Sequence, residues 1–165
     1  MCRPGGGEHP AGLADHDNEV GAFADSERPL VMVGKCPEAE RIRRIKTPNM
    51  LMMSDLSDSE TAWWYWRYRA PIAASYEGDG PAPIAAGVWG RPTIPLRWGG
   101  YLDTVDEGVT EIYFYQPEPV PIAESLDPFE ASAFGSARMH EHVEQLAEER
   151  SAEKIYAAAD GLMAR

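Results

Sequence analysis

Apolar residues in this chain come in short runs, separated by glycine, proline and acidic residues, and the spacing within each run predicts an element. Leu30-Val-Met-Val33, between Arg28-Pro29 and Gly34, predicts a first strand. Pro37 to Lys46 predicts a short helix: proline suits its first turn, Glu38 and Glu40 suit its positive end, and Arg41, Arg43, Arg44 and Lys46 suit its negative end. Met50 to Met53 is soft and apolar, suited to filling irregular core space. Val109 to Tyr115 alternates, with Val109, Glu111, Tyr113 and Tyr115 on one side and Thr110, Ile112 and Phe114 on the other, as a strand requires. Ile84 to Trp89 reads as a further strand, and Glu77 to Pro81 as a turn leading into it. From Ser136 to the C-terminus, Val143, Ala147, Ser151, Ile155 and Leu162 recur at helical spacing, opposite an acidic face.

The densest feature is Trp63-Trp-Tyr-Trp-Arg-Tyr-Arg69, five aromatic rings and two arginines in seven positions. Read as a strand, it places Trp64, Trp66 and Tyr68 on one face and Trp63, Tyr65, Arg67 and Arg69 on the other. Both faces are then too apolar to stand bare in water, and a core, a ligand or another subunit must cover them. Aromatic and β-branched residues make Val109 to Tyr115 the natural strand to pair with it.

These elements predict an α+β fold: a small, mainly antiparallel sheet with a long C-terminal helix and an extended N-terminal arm. Residues 1–29 hold few large apolar side chains and read as a flexible or docking arm, and 30–165 as one α+β domain. Prolines between 71 and 100 suit edge strands and loops, and Pro117 to Pro121 a stiff connector. Asp127-Pro128 reads as the opening of a turn or short helix.

Charge narrows the partners. The net charge of −12 is spread as −4 over residues 1–60, +2 over 61–100 and −10 over 101–165. A nucleic-acid binder normally carries a basic footprint, so nucleic acid is disfavoured as a partner. The first residues lack an apolar stretch after their charge, so no secretion signal is read, and no apolar run is long enough to span a bilayer. The expected location is the cytoplasm or an assembled particle. The two cysteines, Cys2 and Cys36, suit free thiols.

Catalytic patterns are sparse. There is no Gly-x-Ser-x-Gly, no Walker motif and no Gly-x-Gly-x-x-Gly after a strand. His140 and His142, two apart on a predicted helix, point about 200° away from each other and do not share a metal. Cys36, at a helix start, is the one position with a physical case for thiol reactivity. No cofactor and no metal are called for.

What remains is a surface of tryptophan, tyrosine and arginine, the residue types enriched where proteins meet partners. Its candidate members are Trp63, Trp64, Trp66, Arg67, Tyr68, Arg69, Trp89, Trp98, Tyr113 and Tyr115. The expectation is a non-catalytic structural or interaction component of a larger assembly, contacting other protein subunits or further copies of itself. A small-ligand-binding domain or small enzyme with an aromatic pocket is the alternative, and an acidic inhibitor or nucleic-acid mimic the third reading.

Overall fold

The computed structural model describes residues 15–34, 39–76 and 81–147. In chain order the elements are α1 (Asp15–Ala24), β1 (Leu30–Val33), α2 (Ala39–Ile45), β2 (Met50–Met53), α3 (Asp58–Arg67), β3 (Ile72–Ala73), α4 (Pro81–Val88), β4 (Ile94–Pro95), α5 (Tyr101–Thr104) and α6 (Pro119–Ala131). Residues 136–147 are helical as well. Helices alternate with short strands, and that alternation decides how the strands pair.

Both strand pairs are parallel. β1 lies beside β2 with Leu30 opposite Met50 and Val33 opposite Met53, and β3 lies beside β4 with Ile72 opposite Ile94. On the far side of β4, Thr93 bridges Glu111 and Leu96 bridges Phe114, again in parallel. Residues 72–73, 94–95 and 111–114 therefore run the same way, with β4 in the middle. The mainly antiparallel sheet is corrected here. A hairpin would return the chain antiparallel, whereas a helical crossover between neighbouring strands returns it parallel, and α2 and α4 are such crossovers.

The aromatic run is helix rather than strand. Ser57 opens α3 with a capping box: its hydroxyl accepts from the Glu60 N–H, while the Glu60 carboxylate accepts from the Ser57 N–H at 2.8 Å. That reciprocal pair satisfies two helix-end donors that would otherwise lack partners. On a helix the rings spread around the axis instead of alternating. Trp64, Tyr65 and Tyr68 become half-buried, while Trp63 and Trp66 stay 50% and 61% exposed. The two greasy faces inferred for a strand do not exist.

Two further segments change type. Ile84 to Trp89 lies largely within α4, where Pro81 and Pro83 sit in the first turn, needing no intrahelical N–H partner. The connector from Pro117 and the turn at Asp127-Pro128 merge into α6, which starts at Pro119 and tolerates Pro128 inside it. The C-terminal helix is present over residues 136–147, and its predicted continuation lies outside the described residues.

The N-terminal arm is described from residue 15 onward, where it is α1 packed on α6. Val20 and Phe23 of α1 share one buried cluster with Ile122, Leu126 and Phe129 of α6 and with Ile94, Leu96 and Phe114 of the parallel strands. A side chain at Gly21 would press within 2.8 Å of the Pro119 ring, so glycine lets these helices meet. Arg28 then ties β1 to α6 through Asp127 at 2.6 Å and Glu130 at 3.1 Å.

Candidate functional site

In parallel α/β sheets, ligands bind in the crevice outside the carboxyl ends of the strands. Here those ends are Arg97-Trp98 after β4, Ala74-Ser75-Tyr76 after β3, and Tyr115 after the bridged segment at 111–114. The order of elements thus brings together residues distant in sequence.

A tight turn shapes the centre of this edge. The Trp98 N–H donates to the Leu96 carbonyl at 2.7 Å, and Gly99 takes a φ of 56°, a left-handed conformation suited to glycine. The turn starts α5, whose Tyr101 is buried and shares a 3.1 Å hydrogen bond between its hydroxyl and that of Ser75. The hydroxyl of Thr104 closes the short helix on the Gly100 carbonyl at 3.0 Å.

Neighbours of β4 draw its last residues apart. Trp98 leans toward β3, meeting Tyr76 edge-on with ring centres 5.1 Å apart. Arg97 leans toward the segment at 111–114, its guanidinium 5.6 Å from the Tyr113 ring centre and 6.0 Å from that of Tyr115. Glu107 lies 3.6 Å from the Arg97 guanidinium. Trp98 is 44% exposed and Tyr115 70%, so the edge presents flat aromatic surface to solvent on both sides of one cation.

The loop that carries Glu107 is pinned by a buried carboxylate. Glu111 is 1% exposed and accepts from the Gly108 N–H and from the Thr110 hydroxyl, each at 3.0 Å. Burial holds its carboxyl above the ordinary carboxylate range, and those two donors offset part of that rise. Burial pushes the Tyr113 phenol up to about 12, with Glu111 adding to the rise, so it remains protonated near neutral pH.

A second recess, open and about 240 Å³ in volume, lies between the 106–109 loop and the helix at 136–147. Asp106, Val109, Arg138, Glu141, His142 and Gln145 line it. His142 Nε2 donates to the Thr104 carbonyl at 3.1 Å, which fixes the imidazole beside α5. His140 is exposed and sits beside Gly90. The two histidines thus serve different neighbours, and among the described residues no cluster of three metal-ligating side chains occurs. Cys36 lies outside the described residues.

The candidate surface read from sequence divides in two. Trp98, Tyr113 and Tyr115 reach the carboxyl edge. Trp63, Trp64, Trp66 and Arg67 are on α3, with Tyr68 as its C-cap. Trp89, just past α4, stacks on Tyr65 at 6.2 Å, and Arg69 lies over the Phe129 ring at 5.9 Å. Ser75, Tyr76, Arg97 and Glu107 complete the edge and were not singled out as site residues. The signal that finds them is position: each of Ser75 and Arg97 directly follows a short, fully apolar piece in a strand–helix alternation.

Several solved structures resemble this arrangement. A sucrose-phosphate synthase from Thermosynechococcus elongatus matches with a TM-score of 0.67 at 20% identity, over 86% of this chain and 42% of that one. A glycosyltransferase from Rickettsia africae matches at 0.59 and 18% identity, over 70% and 34%. HepE of Anabaena, solved with UDP and glucose, matches at 0.51 and 15% identity, over 81% and 43%. The likeness is one of fold, a Rossmann-like alternation of helices and parallel strands shared with part of each of these structures. The chain spans less than half the length of each of these structures. No protein-family model matches it, nor does any curated protein sequence.

These findings correct the expectation of a non-catalytic structural protein of an assembly. The solved structures that share the fold include a glycosyltransferase and a sucrose-phosphate synthase. The strand greasy on both sides, which called for a covering partner, is replaced by the α3 helix, and the part of the arm from residue 15 onward is α1, which packs on α6. Among the described residues no helix is long and apolar enough to cross a membrane.

Proposed function

We propose that this chain is a nucleotide-sugar-binding domain of a sugar-transferring enzyme, with its ligand seated at the carboxyl edge formed by residues 75–76, 97–98, 113 and 115. One observation carries the reading: three parallel segments end together in exposed aromatic rings and one arginine, in a fold shared with sugar-handling enzymes. Crevices of this kind take nucleotides because strand ends and the turns after them offer main-chain donors and room for a planar base.

The chemistry of the edge suits such a ligand. Indole and phenol faces pack against the apolar face of a sugar or a base, and a guanidinium pairs with phosphate oxygens. HepE, of the same fold, was solved with UDP and glucose, which makes a nucleoside diphosphate and its sugar conjugate the first ligands to test. Since the chain covers under half of each similar structure, its assigned part is ligand binding, and transfer would draw on further groups.

Calorimetric titration of the full chain with UDP, ADP and their glucose conjugates tests this directly. Saturable binding tighter than about 1 mM supports the reading. The absence of heat for every one of these ligands at several times that concentration overturns it.

A further inference from the structure

We infer that Arg97 is the phosphate anchor of this site and that Glu107 is a competing counter-ion which the incoming ligand displaces. The inference rests on the nucleotide-sugar reading above and assigns a role to one side chain within it.

Geometry singles out Arg97. Its main chain is locked by the N–H that donates to the Phe114 carbonyl at 2.8 Å, at the end of the central strand. Its guanidinium rests over the Tyr113 and Tyr115 rings. These ring contacts use no hydrogen bond, and a guanidinium carries five N–H donors. Glu107 is close in charge terms, but 3.6 Å is too long for a hydrogen bond. The guanidinium is therefore held beside the rings without a hydrogen bond from Glu107, and the side chains of the ion pair are 41% and 66% exposed.

Three other arginines are engaged away from this edge. Arg28 joins Asp127 and Glu130 of α6, Arg43 joins Glu40 within α2, and Arg91 donates to the Trp66 carbonyl at the end of α3. The chain carries a net charge of −12, so an anion approaching it meets repulsion except where a cation is presented locally. Phosphate offers what Glu107 does not at its present distance: several oxygens able to accept two parallel N–H bonds from the same guanidinium.

Titration of the full chain with UDP, and with uridine as the phosphate-free probe, tests the assignment. Arg97→Gln should weaken UDP about ten- to hundredfold, the effect of losing a charged hydrogen-bond partner, and leave uridine unchanged. Arg97→Lys should fall between, keeping the charge and losing the fork. Glu107→Gln should tighten UDP up to about fivefold, the scale of an exposed ion pair, with the gain shrinking as salt is raised. UDP affinity that is unchanged in Arg97→Gln overturns the inference, as does an equal loss of UDP and uridine. Should Arg97→Gln fail to fold, the lack of any tightening in Glu107→Gln overturns it alone. A wild-type chain that binds no nucleotide rejects the nucleotide-sugar reading itself and the Arg97 assignment with it. A wild type that binds UDP while these variants bind it equally rejects the Arg97 assignment alone.

Discussion

The side-chain amide of Asn49 donates to the main-chain carbonyl of Arg28 at 2.8 Å, across 21 residues of sequence. The same nitrogen lies 2.9 Å from the Ser26 carbonyl and 3.1 Å from that of Phe23. One side chain thus collects three carbonyls from the end of α1 and the turn into β1, and sets the approach of β1 to β2. Replacing it leaves the part-buried Ser26 and Arg28 carbonyls short of this donor, which costs more than the bond itself is worth. Asn49→Ala should destabilise the chain by about 1–3 kcal/mol in denaturant unfolding, and Asn49→Asp, which cannot donate, should not recover it.

Gly21 and Pro119 set the distance between α1 and α6. Alanine in place of a helical glycine normally adds about 0.5–1 kcal/mol of stability. Here the new methyl meets the proline ring at 2.8 Å, and overpacking of this kind costs about 1–3 kcal/mol. The clash exceeds the helix gain, so Gly21→Ala should lower the melting temperature. A rise would show that the two helices part without cost.

Tyr68 carries a buried hydroxyl with no hydrogen-bond partner. Burial also raises its phenol above the ordinary value, with Tyr65 adding to that rise and Arg91 opposing it. Removing an unsatisfied buried donor relieves a desolvation penalty of about 1–3 kcal/mol. Tyr68→Phe keeps the ring and its edge contact with Tyr65, and should leave stability unchanged or raise it by about 1 kcal/mol. Chemical denaturation of the two chains side by side decides this.

Glu111 makes stability depend on pH. Its carboxyl is raised by burial, so the folded chain keeps a proton that the unfolded chain has already released. Stability from this group is complete below the ordinary carboxylate value and is lost as pH rises through the higher, folded value. Glu111→Gln cannot ionise and should remove that part of the slope when unfolding is followed from about pH 4 to about pH 8. An unaltered slope would mean that the folded carboxyl titrates at its ordinary value.

Several elements are legible from local pattern because their causes are local. The strand at residues 30–33 is bounded by Pro29 and Gly34, and α2 announces itself by charges placed to suit its two ends. The α3 start was equally local, since Ser57-x-x-Glu60 is a capping box in plain sequence, but the aromatic residues beyond it favoured a strand on propensity alone. Tryptophan and tyrosine sit only a few tenths of a kcal/mol below the good helix formers, so a satisfied helix start and half-burial of Trp64, Tyr65 and Tyr68 outweigh that preference.

Sequence alone determined that this is an acidic chain of short apolar runs punctuated by glycine and proline, with a cationic, aromatic stretch in its middle. Strand direction was decided only by tertiary structure: strands of two to four residues are too short to show an alternation, and parallel pairing is set by the helices that cross between them. The site followed the same rule. Tyr76, Arg97 and Tyr115 lie far apart along the chain and share no motif, and they become neighbours because two strands and a bridged segment running the same way end at one edge, where main-chain geometry rather than spacing in sequence brings side chains together.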